Sequence, residues 1–357
     1  MSTDAVATGT IPKLDRKKTI IIGIVELVVL FIIFFRVIPQ IGSYEDALTA
    51  LQAMTWQALV LIGLAVLAYL AWYGLPFVAA VPGLRYWRAQ QLNQAAFAIS
   101  NGVPAGGAFG LGVQYAMLAS WQVPPTVSTA GIAAVGVWSI FVTLGMPILG
   151  VAAVALSGQA AGDYVQLALI GLAILVAMIV LFALVMRSEA FARRVGGWAN
   201  HLLGWHMHRL HKDVDFVALT LKFRNDIVGL VVRRWAAITG AQVGVALLQF
   251  LILFAALRGV QGDEPVQTSM LLAFGAYAIA QIGIMIPITP GGLGTVDAAL
   301  VALLQAFGVS AGDATAADLV WRAASFVPQI IIGVVALVAW FRQANRQLAG
   351  KTADAPA

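Results

Sequence analysis

The sequence predicts an all-α polytopic membrane protein, built from six full spans and two re-entrant hairpins arranged as an inverted repeat. Composition is the first of three observations behind this expectation: 61% of the 357 residues are hydrophobic and 10% are charged, with a mean hydropathy of +0.90. Soluble domains run near ~45–50% apolar and ~25% charged, so a water-soluble fold is excluded. The second observation is a series of long apolar runs with almost no charge, and the third is the distribution of Lys and Arg between them. The chain has no cysteine, which excludes thiol catalysis, disulfide frameworks and Cys-based metal sites. A net charge of +5 would point a soluble protein towards nucleic acid. In a membrane chain the placement of that charge reports topology instead, and no nucleic-acid partner is expected.

A helix needs about 20 apolar residues to cross ~30 Å of hydrocarbon. Runs of that kind occupy 19–37, 56–80, 126–157, 165–186, 236–257, 268–287 and 319–341. The run 126–157 is too long for an upright span, which implies tilt, a bend near Pro147 or projection beyond the bilayer. The first run follows Lys13, Arg16, Lys17 and Lys18, yet exceeds a signal-peptide apolar region and has no small-residue cleavage site after it. It reads as a retained anchor.

Of the 21 Lys and Arg, four precede the first run, Arg85 and Arg88 follow the second, nine lie within 187–234, and Arg342, Arg346 and Lys351 follow the last. Arg36, Arg258 and Arg322 each sit near a span end. The segments 40–55, 158–164 and 259–267 carry only acids: Glu45, Asp46, Asp163, Asp263 and Glu264. By the positive-inside rule both termini and the 187–234 segment are cytoplasmic, in a multi-pass protein of the cell membrane. Six full spans meet these assignments only if 85–123 and 268–309 each enter and leave on one side, from opposite faces.

Both stretches carry a breaker where a hairpin would reverse. The first contains Asn101-Gly102-Val103-Pro104-Ala105-Gly106-Gly107, and the second Pro287-Ile288-Thr289-Pro290-Gly291-Gly292-Leu293-Gly294-Thr295-Val296-Asp297. Proline removes a donor and glycine permits positive φ, so neither continues as regular helix. The two Gly-Gly pairs are 185 residues apart, and the chain reads as span, span, hairpin, span, twice over. This gives a cytoplasmic tail 1–18, repeat 19–157 with its hairpin at about 85–123, and repeat 164–343. The second repeat holds an amphipathic cytoplasmic segment at about 188–234 and a hairpin at about 268–309. A tail 344–357 follows. Gly/Pro-interrupted segments at corresponding positions of two halves point to a transporter's midplane site.

These residues resemble a known family, the transmembrane domain of lysylphosphatidylglycerol synthases and its stand-alone, flippase-like relatives. Asn101, Pro104 and Gly106-Gly107 carry the resemblance in the first hairpin, Pro287 to Gly294 in the second, and Arg322, Pro328 and Gly333 in the last span. The acid after the Gly-Gly-Leu-Gly turn, often Glu in that family, is Asp297 here. The resemblance implies a protein that moves an anionic or aminoacylated phospholipid, or a glycolipid, between leaflets. It does not imply synthesis, because bifunctional relatives carry a soluble aminoacyl-transferase domain after the membrane part and this chain stops at Ala357.

The Gly-rich turns would offer backbone N–H groups and helix N-termini to a phosphate headgroup, with Asn101, Pro104, Gly106, Gly107, Pro290, Gly291, Gly292 and Gly294 forming the cradle. Close helix packing is the alternative role for those glycines. Asp297 would sit in the first turn of the restarting helix, with Thr295 as N-cap and Arg322 as counter-ion. Glu26, the only acid inside the first run, is a candidate coupling residue or an acid facing a polar interior. Gln249, Gln281 and Gln329 suit interhelical hydrogen bonding. His201, His206, His208 and His211 fall in one tract whose mixture of Leu, Trp, Arg and Lys reads as a surface helix on anionic lipid, so no metal site is assigned. No cofactor and no catalytic residue are expected. Three functions compete: a lipid translocator, which leads, an ion-coupled transporter of a small anion, and a membrane-embedded lipid-modifying enzyme. The last lacks a nucleophile with its base.

Overall fold

The computed structural model describes residues 54–102, 106–158, 162–209, 215–262, 267–285 and 290–353, with Thr49 and Gln52. Every regular element among them is helical. Helix α1 (Trp56–Trp72) begins at Thr55, whose hydroxyl accepts the Ala58 amide at 3.4 Å. A break at Gly74 leads to α2 (Leu75–Ala80), with Pro76 in its first turn where no N–H is required. Then come α3 (Tyr86–Gly102), α4 (Gly106–Ser120) and α5 (Pro125–Leu156). The long run expected at 126–157 is thus one 32-residue helix with Pro147 inside it.

The second half comprises α6 (Gly162–Arg187), α7 (Glu189–Arg209), α8 (Phe216–Gln261), α9 (Met270–Ala280), α10 (Thr295–Ala306) and α11 (Ala311–Ala353). Tight 3₁₀ turns at Gln281–Met285 and Pro290–Gly292 separate α9 from α10. Among the described residues four helical stretches are long and apolar enough to cross a membrane: Trp56–Ala80, Pro125–Leu156, Val232–Gln261 and Ala311–Gln343. Shorter apolar helices cover Leu172–Arg187, Met270–Met285 and Thr295–Ala306. The expected first span at 19–37, with Glu26, lies outside the described residues.

The segment expected to be amphipathic is shared between α7 and the start of α8, which fold back on each other. Asn200 Oδ1 accepts the Phe216 amide at 2.8 Å, and Asp215 caps α8 by accepting the Val217 and Ala218 amides at 2.9 and 3.2 Å. At 1.5 Å per residue α8 is about 70 Å long, roughly twice the hydrocarbon thickness. Its polar first turns therefore project beyond the apolar stretch that starts at Val232.

Packing crosses between the halves. The first arm of each broken hairpin lies against the long helix that ends the other half: α3 on α11, and α9 on α5. Small residues allow both approaches. A Cβ on Gly150 would stand 3.0 Å from Ala278 Cβ, and one on Gly333 would run into the Gln94 carbonyl. Helix α3 is polar for a membrane segment, and its amides serve the end of α1, whose last carbonyls lack helical partners. Gln90 Nε2 donates to the Leu70 and Ala71 carbonyls at 2.8 Å, and Asn93 Nδ2 to that of Tyr73 at 2.6 Å. The largest core cluster joins α1, α8, α9, α10 and α11 through Tyr69, Phe250, Leu253, Tyr277, Leu300 and Trp321.

Candidate functional site

The turn at Pro290–Gly292 depends on glycine. Gly291, Gly292 and Gly294 have φ of 62°, 66° and 85°, in the left-handed region that other residues adopt only at a cost. This geometry turns the Gly291 and Gly292 carbonyls towards Arg322 of α11, whose Nη1 and Nη2 donate to them at 3.5 and 3.4 Å. Arg322 Nε donates to Asp297 Oδ1, and the Gly294 amide donates to Asp297 Oδ2. Asp297 is fully buried.

The pairing of Asp297 with Arg322 expected from the sequence is therefore made. Capping differs from expectation. Gly294, not Thr295, is the N-cap of α10, and the Thr295 hydroxyl instead donates back to the Gly283 and Gly292 carbonyls at 2.9 and 3.1 Å. Thr295 thereby ties the turn to the 3₁₀ turn that follows α9. At this tip the Gly294 amide donates to Asp297, and Arg322 stands beside the turn with long Nη contacts to the Gly291 and Gly292 carbonyls.

The guanidinium lies 4.5 Å from the Trp321 ring centroid and 5.1 Å from that of Phe326. Phe326 packs edge-on against Phe97 at 5.3 Å, and Phe97 against Tyr73 at 5.9 Å, which carries the aromatic contact into the first half. Asn101 joins the same junction: its Nδ2 donates to the Phe97 carbonyl at 3.0 Å, while its Oδ1 faces Gly291. The two broken turns thus meet at Asn101 and Gly291.

In the first turn, Pro104 lies outside the described residues. Gly106 is buried where a Cβ would strike the Ile99 carbonyl, and it has no positive φ, so its need is close packing. Gly107 has open space beside it and lines a cavity of about 540 Å³ with Tyr73, Asn93, Gln114 and Gln242. A second cavity of about 870 Å³ lies between α5, α6 and α8, walled by Trp138, Phe141, Phe182 and Leu247, with Arg187 at its margin.

Sequence reasoning missed Asp318. It lies one helical turn before Arg322, is only 1% exposed, and its Oδ1 has no hydrogen-bond partner among the described residues. Its i, i+4 spacing from Arg322 was the available signal. Also missed were Tyr69 and Tyr277, the partners of the expected glutamines in a buried polar chain. Tyr69 donates to Gln329 Oε1 at 3.0 Å and accepts from Gln249 Nε2 at 2.9 Å, while Tyr277 donates to the Ala246 carbonyl at 3.1 Å and to Gln249 Oε1 at 3.4 Å. Gln249 and Gln329 are accordingly engaged in bonds between helices. Of the histidine tract, His201, His206 and His208 lie on α7 and His211 lies outside the described residues.

No curated protein matches the chain. A family model described as the lysylphosphatidylglycerol synthase TM region matches residues 20–333, which takes in both broken turns, the ion pair and the helices that pack around them. The chain is a multi-pass membrane protein with a lipid-related function, and it belongs to the lysylphosphatidylglycerol synthase TM-region family.

Proposed function

We propose that the protein is a lipid translocator that passes an anionic or aminoacylated headgroup between leaflets at the junction of its two broken hairpins. One observation carries this reading: a buried ion pair, Asp297 with Arg322, stands where the tips of both hairpins touch. Charges inside a membrane domain are costly and mark substrate or ion paths. Arg322 is the headgroup's counter-charge, and its planar fork suits a phosphate. The apolar cavity between α5, α6 and α8 offers an acyl chain a wall of aromatic and aliphatic side chains. That favours a lipid over a small soluble anion.

The crossed packing of α3 on α11 and α9 on α5 supports an inverted repeat, since each contact is the counterpart of the other under exchange of halves. In this reading the hairpins α3–α4 and α9–α10 are re-entrant, both termini and α7 are cytoplasmic, and the basic residues of α7 and early α8 rest on anionic lipid. Movement of one half against the other opens the junction to either leaflet.

Photo-crosslinking with an anionic phospholipid tests the site. Adducts are expected along Trp138, Phe182 and Trp235 and near Arg322, and unlabelled anionic phospholipid should suppress them. Adducts confined to the outer protein surface, or suppression by a soluble phosphate ester as strong as by the lipid, would remove the lipid assignment.

A further inference from the structure

A cavity of about 600 Å³, separate from the junction at Arg322, lies where the end of α2, the start of α5 and the polar first turns of α8 come together. Asp226, Gly229 and Arg233 line it from α8, spaced three and four residues apart and so on one face of that helix. Thr126 and Ala130 of α5 form another wall. The apolar stretch of α8 starts at Val232, which puts Arg233 and the exposed Trp235 at its boundary. Basic and indole side chains at such a boundary suit the interface between hydrocarbon and water.

The cavity offers a ligand one charge of each sign. Arg234, which also lines it, is committed to the end of α2, where its Nη1 donates to the Val78 and Ala79 carbonyls at 3.5 and 3.3 Å. Arg233 stands exposed at the cavity wall. The first turn of α5 reinforces it, because Thr126 and Val127 precede the first turn-closing bond of that helix, from the Ser128 amide to the Pro124 carbonyl at 2.9 Å. Amides in that position lack helical acceptors, and the helix dipole favours an anion beside them. Asp226 supplies the opposite sign: its Oδ2 is buried, with no hydrogen-bond partner among the described residues. A buried polar oxygen without a donor is costly, and an anion held by Arg233 alone would leave it so.

We infer that this cavity binds a zwitterionic phospholipid headgroup, with its phosphate against Arg233 and the first-turn amides of α5 and its ammonium against Asp226. Asp226 and Arg233 are seven residues apart, about 10 Å along the axis of α8, so the two ends of one headgroup meet different side chains. The acyl chains find their wall farther along the same two helices, in the apolar cavity lined by Trp138 and Phe141 of α5 and Val232 and Trp235 of α8. Trp138 Nε1 donates to the Thr239 hydroxyl at 2.7 Å and holds the two helices together there. Binding at this site rests on the membrane assignment and not on the translocator reading.

Photolabelling of the full chain in nanodiscs tests the site, with a phosphatidylethanolamine probe that carries its reactive group close to the headgroup and peptide mapping of the adducts. Labelling is expected at 225–234 and at the start of α5. Unlabelled phosphatidylethanolamine should suppress it several-fold more effectively than phosphatidylglycerol, which has the phosphate without the amine, or soluble phosphoethanolamine, which has the headgroup without the chains. Asp226→Asn should erase the preference over phosphatidylglycerol, and Arg233→Gln should lower labelling several-fold. A Cβ on Gly229 meets open space, so Gly229→Leu should fill the cavity and abolish labelling while the protein still folds. Phosphatidylglycerol or soluble phosphoethanolamine competing as well as phosphatidylethanolamine on the native protein, or native-level labelling in a folded Gly229→Leu variant, would overturn the proposal. Leaflet exchange plays no part in this readout: a protein that labels as expected and exchanges no lipid keeps this site and loses the translocator reading.

Discussion

Asn101 and Gly291 meet across the two halves of the protein: a Cβ on Gly291 would stand 2.9 Å from Asn101 Oδ1 and 3.0 Å from Phe326 Cζ. With φ at 62°, Gly291 also occupies a conformation that L side chains resist. Gly291→Ala should therefore lower stability by about 1–2 kcal/mol or more. Thermal unfolding in detergent reads this directly, with Gly107→Ala, where open space awaits the methyl group, as the control. Equal melting temperatures for the two variants would show that the hairpin tips do not touch.

The ion pair predicts strong non-additivity. Truncating one partner of a buried pair leaves a charge uncompensated, and contacting residues couple by roughly 0.5–3 kcal/mol. In a cycle of Asp297→Asn and Arg322→Gln the double variant should be more stable than the sum of the single effects implies. Additive effects throughout would mean that the two side chains act separately.

The paired glycines of the first turn have different roles, which substitution can separate. Gly106→Val would drive its side chain into the Ile99 carbonyl, so stability and leaflet exchange should fall together. Gly107→Val projects into the 540 Å³ cavity. Lipid exchange in liposomes should drop several-fold, on the order of 1 kcal/mol in activation free energy, while the melting temperature stays near native. Undiminished exchange in Gly107→Val would remove that cavity from the lipid's path.

Much of this arrangement was legible in the sequence. Long apolar runs located the long helices, and Asp297 and Arg322 stood out as charges near Gly/Pro breaks. Asp318 was not recognised because the last apolar run was drawn from 319, which left it outside, whereas the helix starts at Ala311 and buries it. The bond from Tyr69 to Gln329 joins residues 260 apart, and hydropathy along the chain carries no information about such pairings. Thr295 has a good capping side chain, yet the positive φ of Gly294 and its amide bond to Asp297 assign the cap to glycine.

At the other end of α8, Asp215 offers a pH prediction. The Ala218 amide, and then Asn200 and the Val217 amide, hold its carboxyl below the ordinary carboxylate value. A depressed folded-state value means that this contribution is present at neutral pH and fades as pH falls through the acid range, below the ordinary Asp value of about 3.9. Hydrogen exchange at the start of α8 should therefore quicken on acidification relative to exchange in its middle. In Asp215→Asn this extra acid dependence should be lost. An unchanged acid response in that variant would assign the fraying to other groups.

The central claim is that Arg322, at the junction of the two broken hairpins, carries an anionic headgroup between leaflets. Leaflet exchange of a labelled anionic phospholipid in liposomes, measured beside thermal unfolding, tests it most directly. Native protein should accelerate exchange well above protein-free liposomes, and an Arg322→Gln variant that still unfolds cooperatively should fall to near that background. Exchange in native liposomes no faster than without protein, or an Arg322→Gln variant as fast as native, would contradict the account.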